Sequence, residues 1–447
     1  MWKRSLICLV SISFGHQPCN PICMDKSPPC QQERRMLQQE TPQAPTVTPR
    51  YLYVALWALS VAYFAYYYVY KPFSMHGVDF TVLWRAAENF VHGRSVYAEP
   101  PILVGADGWE VFKYPQFSAL LFSWLAFLPF EIAEWCWKGL LLAAVVVSTW
   151  VTYRWVSEAD NEVTSLAAPK PLLDRRLLLP LVALSISMFS PLSWALQLGQ
   201  VGPLLALLLL LHFWLLHRKH ELLAGSVWAL SVLVKVVPIA MVVYYVAFRR
   251  WRFLLGALGT GAFYLLALLV LGRLHDEWDY VVRVAPDIAA LTKHVSRSLS
   301  HFGELVASGM FPTESAWMQR IERGIIGGAA LLYVLSAAWL AYRRVNQEAA
   351  LASAVVGLIV ISPVVEGHHF VVLLPALAVQ ARMWLLGQIQ PTQGLIIVLA
   401  WLPIFVATLF HQYTTALFQQ FIPTLSSFVL WLSSIWAAFS TSGRRTQ

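Results

Sequence analysis

Charge is scarce in this sequence. Only 13% of its 447 residues are Asp, Glu, Lys or Arg, about half the share that a soluble domain carries. With 58% hydrophobic residues and a mean hydropathy of +0.58, that scarcity excludes a soluble globular protein. No polar domain gathers Lys and Arg into a patch, so nucleic acid is excluded as a partner. The net charge of +8 is read instead as positive charge on cytoplasmic loops, in contact with anionic lipid. Cysteine is sparse too. Cys8, Cys19, Cys23 and Cys30 cluster near the start and Cys136 stands alone, which fits no zinc pattern, and no metal site is expected. Nor is an internal repeat visible, which argues against a transporter built from duplicated halves.

What remains is membrane. The 20 Trp and 17 Tyr suit a chain with many lipid–water interfaces. Apolar runs of roughly 17–25 residues are long enough to cross a bilayer as helices. They lie near 51–70, 116–132, 135–155, 177–195, 202–216, 222–247, 253–272, 322–342, 349–363, 368–388, 393–411 and 423–440. Residues 1–50, rich in Pro, Gln and charge, are expected to be a disordered tail or the product of a mis-set start, with Met24 and Met36 as alternative beginnings. The membrane domain is expected over 51–440, and 441–447 as a cytoplasmic tail.

The arginines at 249–252, 343–344 and 444–445 mark the cytoplasmic side. Counting spans then puts the polar segments 71–115 and 273–321, and the turn 362–369, together on the outer side. The same count sends 154–176 and 217–220 outward against the rule, unless a run between 116 and 220 is re-entrant. Within the first outer segment, Val82/Leu83, Ala86/Ala87 and Phe90/Val91 recur at helical spacing. Residues 79–92 therefore read as an amphipathic helix on the membrane surface, closed by His92-Gly93. A weaker pattern occupies 278–291.

Few residues could carry chemistry. Asp79 opens the amphipathic helix, as an N-cap or as a general base for a hydroxyl at the membrane surface. Lys235 falls mid-run, too far from either end to snorkel. It is read either as an ammonium holding a phosphate or as half of a buried ion pair, or as a sign that the run has other edges. His368-His369 follow the turn at Ser362-Pro363. Neighbouring helix positions diverge by about 100°, so one of them could bond a phosphate or a sugar hydroxyl, and both could equally be interface residues. Lys113-Tyr114-Pro115, Gly199-Gln200, and Arg297 with His301 are weaker signals.

Five blocks in order give the pieces a common shape: Asp79-Phe80 with Gly93-Arg94-Ser95-Val96-Tyr97, Tyr114-Pro115, Gly199-Gln200-Val201, Gly225 to Lys235-x-x-Pro238, and Ser362-Pro363 to His368-His369. From about Ala55 to Ala381 the chain resembles the polytopic glycosyltransferase family 87, whose characterised members use polyprenyl-phosphate mannose. Gln116 stands where a second Pro is common, Ser296-Arg297-Ser298 where Asn-Gln-Ser is common, and Glu366-Gly367 where an aromatic often precedes the His pair. These departures touch the acceptor side.

The resemblance implies an all-α glycosyltransferase C-type bundle of about 10–12 transmembrane helices with interfacial helices in its outer loops. It implies transfer of a hexose, expected to be mannose, from a polyprenyl phosphate to a lipid-linked or glycan acceptor. Asp79 is expected as the base of an inverting reaction, and Lys235, Arg85, His368 and His369 around the donor phosphate. Tyr97, Tyr114, Gln200, Arg297 and His301 are expected around the substrates. No cofactor is expected, and a divalent-metal requirement is left open. The expected location is the bacterial inner cell membrane, multi-pass, with the site facing the periplasm or exterior. The competing reading is a transporter or lipid flippase with Lys235 in its substrate site.

Overall fold

The structure, a computed structural model, describes residues 50–97, 102–104, 108–165, 175–287, 298, 316–406 and 416–442. Of the expected tails at 1–50 and 441–447, only Arg50 and residues 441–442 fall within the described residues.

Helix α1 (Arg50–Phe73) is apolar and mostly exposed, as suits a lipid-facing span. Helix α2 (Val78–Val91) is the expected amphipathic helix, burying Phe80, Leu83, Ala86 and Ala87. It ends at His92, followed by Gly93 at φ 75°, a conformation that disfavours a side chain. A small antiparallel ribbon of β1 (Ile102–Val104) and β2 (Gly108–Glu110) is the sole β-structure among the described residues. Then come α3 (Gln116–Leu121), a 3-10 turn over Ser123–Phe127, α4 (Phe130–Ser165), and α5 (Arg175–Met188) running into α6 (Ser190–Leu198) across a 52° bend. Next are α7 (Gly202–His217), α8 (Glu221–Val234), a 3-10 segment over Val237–Met241, α9 (Val242–Ala247), α10 (Trp251–Val270) and α11 (Leu274–Asp279). The last helices are α12 (Ala316–Tyr342), α13 (Gln347–Ile361), a 3-10 stretch over Gly367–Leu373, α14 (Leu374–Leu385), α15 (Pro391–Val406) and α16 (Ala416–Ser442). Helix α13 is the core, with every residue from Ala349 to Val360 buried.

Among the described residues four helices are long and apolar enough to cross a bilayer, in α1, α10, α12 and α16, and α5 with α6 makes a bent fifth. This is an all-α polytopic membrane protein. Several of the apolar runs read from the sequence are built as short or broken helices rather than full spans.

Two of those runs are corrected outright. Residues 116–132 are not one helix: Leu128 is extended (φ −108°, ψ 145°) just before Pro129, a position that disfavours helix. Residues 222–247 are not one span either. The backbone leaves the helix at Lys235 (φ −153°, ψ 121°) and doubles back through α9. Trp228 of α8 packs on Tyr245 of α9 at 5.5 Å, and Arg250 pairs with Glu221, so both ends of this hairpin lie together. At 1.5 Å per residue, α8 carries the apex about 21 Å from that end. Non-helical backbone is tolerated at such depth only inside protein or against a cavity. Here Ser118 Oγ donates to Val234 O at 3.1 Å, satisfying one exposed carbonyl.

The two corrections cancel in the span count and remove the misfit at 154–176 and 217–220. His217 pairs with Glu348 (2.6 Å) and with Glu158 (3.4 Å), and Arg218 also pairs with Glu158. Arg382 reaches Glu348 at 3.6 Å. The ends of α4, α7 and α14 thus meet the start of α13 at one end of the bundle, beside Arg343 and Arg344. Asp79, Gln200, Lys235 and Ser362 lie at the other end.

Helices α8 and α10 run side by side in the same direction through glycine. A Cβ on Gly225 would sit 1.9 Å from Phe253 O, and one on Gly256 would sit 2.0 Å from Leu222 O. Small residues allow such backbone contact between membrane helices. Gly225→Ala is expected to force the pair apart at about 1–3 kcal/mol, read as a lower Tm in detergent. An unchanged Tm would mean that the helices are not in backbone contact there.

Candidate active site

A cavity of about 490 Å³ opens where the apex of the α8–α9 hairpin meets the start of α2. Its lining brings together six of the residues singled out from the sequence: Asp79, Tyr114, Gln200, Lys235, His368 and His369. They come from five separate stretches of chain. The volume is ordinary for a small-ligand site.

Asp79 sits in the first turn of α2, half-buried, and it is not the cap. Gly77 is the N-cap residue, which corrects the capping reading of Asp79. Lys235 owes its place to the helix break. Its Nζ lies 5.9 Å from the centre of the Tyr114 ring, a cation–π contact. Pro238 fits as the second residue of the 3-10 segment after the break.

The histidines are held by a network around Glu366, also a lining residue. The Glu366 carboxylate accepts from the His369 backbone, and Glu366 N donates to His369 Nδ1 at 3.2 Å. The His369 ring is also hydrogen-bonded to the backbone of Val364. Gln200 Nε2 donates to His368 Nε2, which puts the His368 proton on Nδ1, 3.7 Å from Glu366 Oε2. Trp194 meets the His368 ring edge-on at 6.0 Å. Glu366, His368 and His369 bring one possible ligand atom each within 4.8 Å of one another, the one such group among the described residues. A metal there would have to displace both hydrogen bonds that now occupy ring nitrogens.

Arg85 and Tyr97 do not line the cavity. Arg85 is six residues along α2 from Asp79, about 120° round the helix. Tyr97 stands one layer back, its hydroxyl donating to Tyr114 O at 3.0 Å and its ring stacked on Tyr280. Burial holds its hydroxyl proton far above the ordinary tyrosine range, with Glu277 adding to the effect. Arg297 and His301 lie outside the described residues. The weaker pattern at 278–291 is helical from Leu274, through a π turn over Tyr280–Val284, to Asp287, and residues 288–291 lie outside the described residues. Tyr280 and Ala285 of this segment reach the cavity. Arg273 ties it to α2 by donating to Phe90 O at 2.8 Å and Arg94 O at 2.9 Å. Glu277, its carboxyl pushed up by burial, accepts from Tyr264 at 2.8 Å.

Sequence reasoning passes over Trp194 and Tyr280, and names Lys113 only as part of the weak Lys113-Tyr114-Pro115 signal, without a role in the site. Lys113 is the consequential one, a second lysine in the lining. Its only signal is position, one residue before the Tyr-Pro pair.

Comparison with known proteins identifies the family. The model of glycosyltransferase family 87 matches residues 112–363, which takes in Lys113, Tyr114, Gln200 and Lys235. Two relatives carry the same name, polyprenol-phosphate-mannose-dependent alpha-(1-2)-phosphatidylinositol mannoside mannosyltransferase. The one from Mycobacterium tuberculosis is 26% identical over 402 residues, covering 86% of this chain and 90% of its own. The one from Mycolicibacterium smegmatis is 23% identical over 319 residues, covering 68% and 69%. The family model covers more than half of the chain and decides between the enzyme and transporter readings: the chain belongs to glycosyltransferase family 87 and is a multi-pass membrane glycosyltransferase.

Proposed function

We propose that the protein transfers mannose from a polyprenyl-phosphate donor to a hydroxyl of a lipid-linked or glycan acceptor, with inversion at the anomeric carbon. The observation that carries this is the make-up of one cavity: Asp79 on one helix start, with Lys113, Lys235 and the His368–His369 pair around it. The names of the relatives support the sugar and the donor.

The acceptor oxygen forms its bond to the anomeric carbon as the bond from that carbon to the phosphate oxygen breaks. The hydroxyl proton passes to Asp79, and the bonding pair leaves with polyprenyl phosphate. An acceptor hydroxyl is far too weak an acid to ionise beforehand, so the base acts as the transition state forms. One carboxylate is enough for a single displacement, whereas retention would need a nucleophile as well. Glu366, the other lining carboxylate, is engaged with His368 and His369. The leaving group turns from a monoanionic diester toward a dianionic monoester, so cations gain most in the transition state. Lys235 and Lys113 supply that pole, with the His368–His369 pair beside them. We take transfer to need no divalent metal, because ring nitrogens of both histidines are engaged in hydrogen bonds and two lysines line the same cavity. Turnover should survive EDTA. Loss on chelation, restored by Mg²⁺ or Mn²⁺, would assign a metal to Glu366, His368 and His369.

The cavity end is proposed to face away from the cytoplasm, in the inner membrane of a bacterium, where a flipped lipid donor is present and nucleotide sugars are not. The basic residues gathered at the opposite end (Arg154, Arg218, Lys219, Arg249, Arg250, Arg343 and Arg344) support this. Purified protein should release polyprenyl phosphate from polyprenyl-phosphate mannose only when acceptor is added. In cells, and in a background lacking the five native cysteines, single cysteines in 95–110 should react with a membrane-impermeant thiol reagent. Those at 343–346 should react only after lysis. The reverse pattern would put the site in the cytoplasm and remove the case for a flipped donor.

A further inference from the structure

Glu134, Trp137 and Lys138 do not line the cavity, yet they stand at i, i+3 and i+4 on α4 and share one face. Glu134 is 3% exposed, Lys138 2% and Trp137 0%. A buried ion pair is weak support for stability in itself, so its contacts are the informative part. Glu134 Oε1 accepts from the backbone N–H of Gly77 at 2.6 Å, and the other oxygen meets His76 Nδ1 at 2.8 Å. Gly77 is the N-cap of α2, two residues before Asp79. Lys138 Nζ bonds Glu134 at 2.7 Å and donates to Pro72 O at 2.8 Å and to Met75 O, at and just past the end of α1. The anion thus stands at a helix start and the cation at a helix end, each against the partial charge it complements.

Trp137 holds the other side. Its Nε1 donates to Gly199 O at 2.6 Å. That turn is wedged against α2: a Cβ on Gly199 would lie 2.7 Å from Phe80 Cβ, and one on Gly77 would lie 2.8 Å from Leu198 O. Asp79 and Gln200, the residues that reach the cavity, follow directly from the two clamped glycines.

We infer that this face of α4 positions the reaction: Glu134 and Lys138 fix the start of α2, hence Asp79, and Trp137 fixes the Gly199 turn, hence Gln200 and through it His368. None of the three touches substrate. The inference rests on the reading of Asp79 as the base. The test compares Trp137→Phe, Glu134→Leu and Glu134→Gln, each alone and combined with Asp79→Asn, by kcat, donor KM and Tm. Trp137→Phe keeps an aromatic ring against Phe122 while removing the donor and part of the buried ring volume. Misplacing a reacting group by about 1 Å can cost 100-fold. Glu134→Leu should therefore lower kcat about 10- to 100-fold with little change in donor KM, and Trp137→Phe, which loosens Gln200 and His368, should lower kcat and raise donor KM together. Glu134→Gln, which keeps an oxygen for Gly77 N–H, should recover much of the loss.

In the Asp79→Asn background Glu134→Leu should lower the residual rate no further, because the base it positions is already gone, whereas the loss from Trp137→Phe, which runs through Gln200 and His368, should persist. Unchanged kcat and donor KM in folded Trp137→Phe, or an equal fold-loss from Glu134→Leu in both backgrounds, would overturn the inference. Should Glu134→Leu fail to fold, Trp137→Phe decides alone. Wild-type turnover in Asp79→Asn by itself would instead sink the base assignment, and this inference with it, whatever the α4 variants do.

Discussion

Asp79→Asn is expected to lower turnover about 100- to 10,000-fold, the range over which a positioned general base acts, with donor binding and Tm close to wild type. The amide matches the carboxylate in size and hydrogen-bonds well, but it cannot take the acceptor proton. Stability should hold because Asp79 is not the cap of α2. Gly77 occupies that position, and its N–H is satisfied from α4 by Glu134. The companion variant is Glu366→Gln, which changes the second carboxylate of the lining. Glu366 braces the two histidines, so its loss should act through donor binding more than through the proton transfer. Turnover retained in Asp79→Asn but destroyed in Glu366→Gln, with donor still bound, would move the base to Glu366. Loss of donor binding in Asp79→Asn would mean that the carboxylate contacts the sugar rather than the proton.

Much of this arrangement is legible in the amino-acid sequence. Helix α2 is marked by its periodicity and by His92-Gly93, because an amphipathic surface helix writes its buried face into local spacing. The five motif blocks indicate residues that converge on one cavity. Where sequence and structure part, the physical cause is shared. A run such as 222–247 is apolar on both sides of its break, and what permits the break is tertiary: Ser118, far away in sequence, satisfies Val234 O. Pro238 is the one local sign. Residues 116–132 have the length of a span, and the signal against it is the extended residue before Pro129. Because both runs count as crossings by length alone, the two errors cancel at 249–252 and leave a visible misfit only at 154–176 and 217–220.

The charges hardest to place are those whose partners are backbone. Glu134 and Lys138 look like the polar edge of a span beginning at 135, and an acidic–basic pair at i, i+4 is common on any solvated helix. Their targets, Gly77 N–H and the carbonyls of Pro72 and Met75, leave no trace in side-chain identity. Lys113 is underrated for a similar reason. At the opening of an apolar run ahead of a proline it is only a weak signal, until the hairpin apex brings Lys235 into the same cavity.

Lys235→Met is expected to weaken donor binding about 10- to 100-fold, as loss of a charge-assisted contact of about 1.5–3 kcal/mol would. The geometry behind this is the helix break. A lysine inside a continuous span would need an ion pair for its own sake. At the apex of the α8–α9 hairpin it is a cavity residue, carried there by an extended backbone and resting over the Tyr114 ring. Methionine keeps most of the stem packed and removes the charge, so the fold should survive or gain in Tm. The affinity for the product should fall more than that for the donor, because polyprenyl phosphate bears more negative charge than its glycosylated diester. Lys113→Met should show the same asymmetry if both lysines serve the leaving phosphate. Binding of donor and of polyprenyl phosphate, measured in nanodiscs for both variants, checks each point. Equal loss for the two ligands would mean that Lys235 grips the phosphate without favouring the developing charge, and unchanged affinity for both would remove it from the phosphate site altogether.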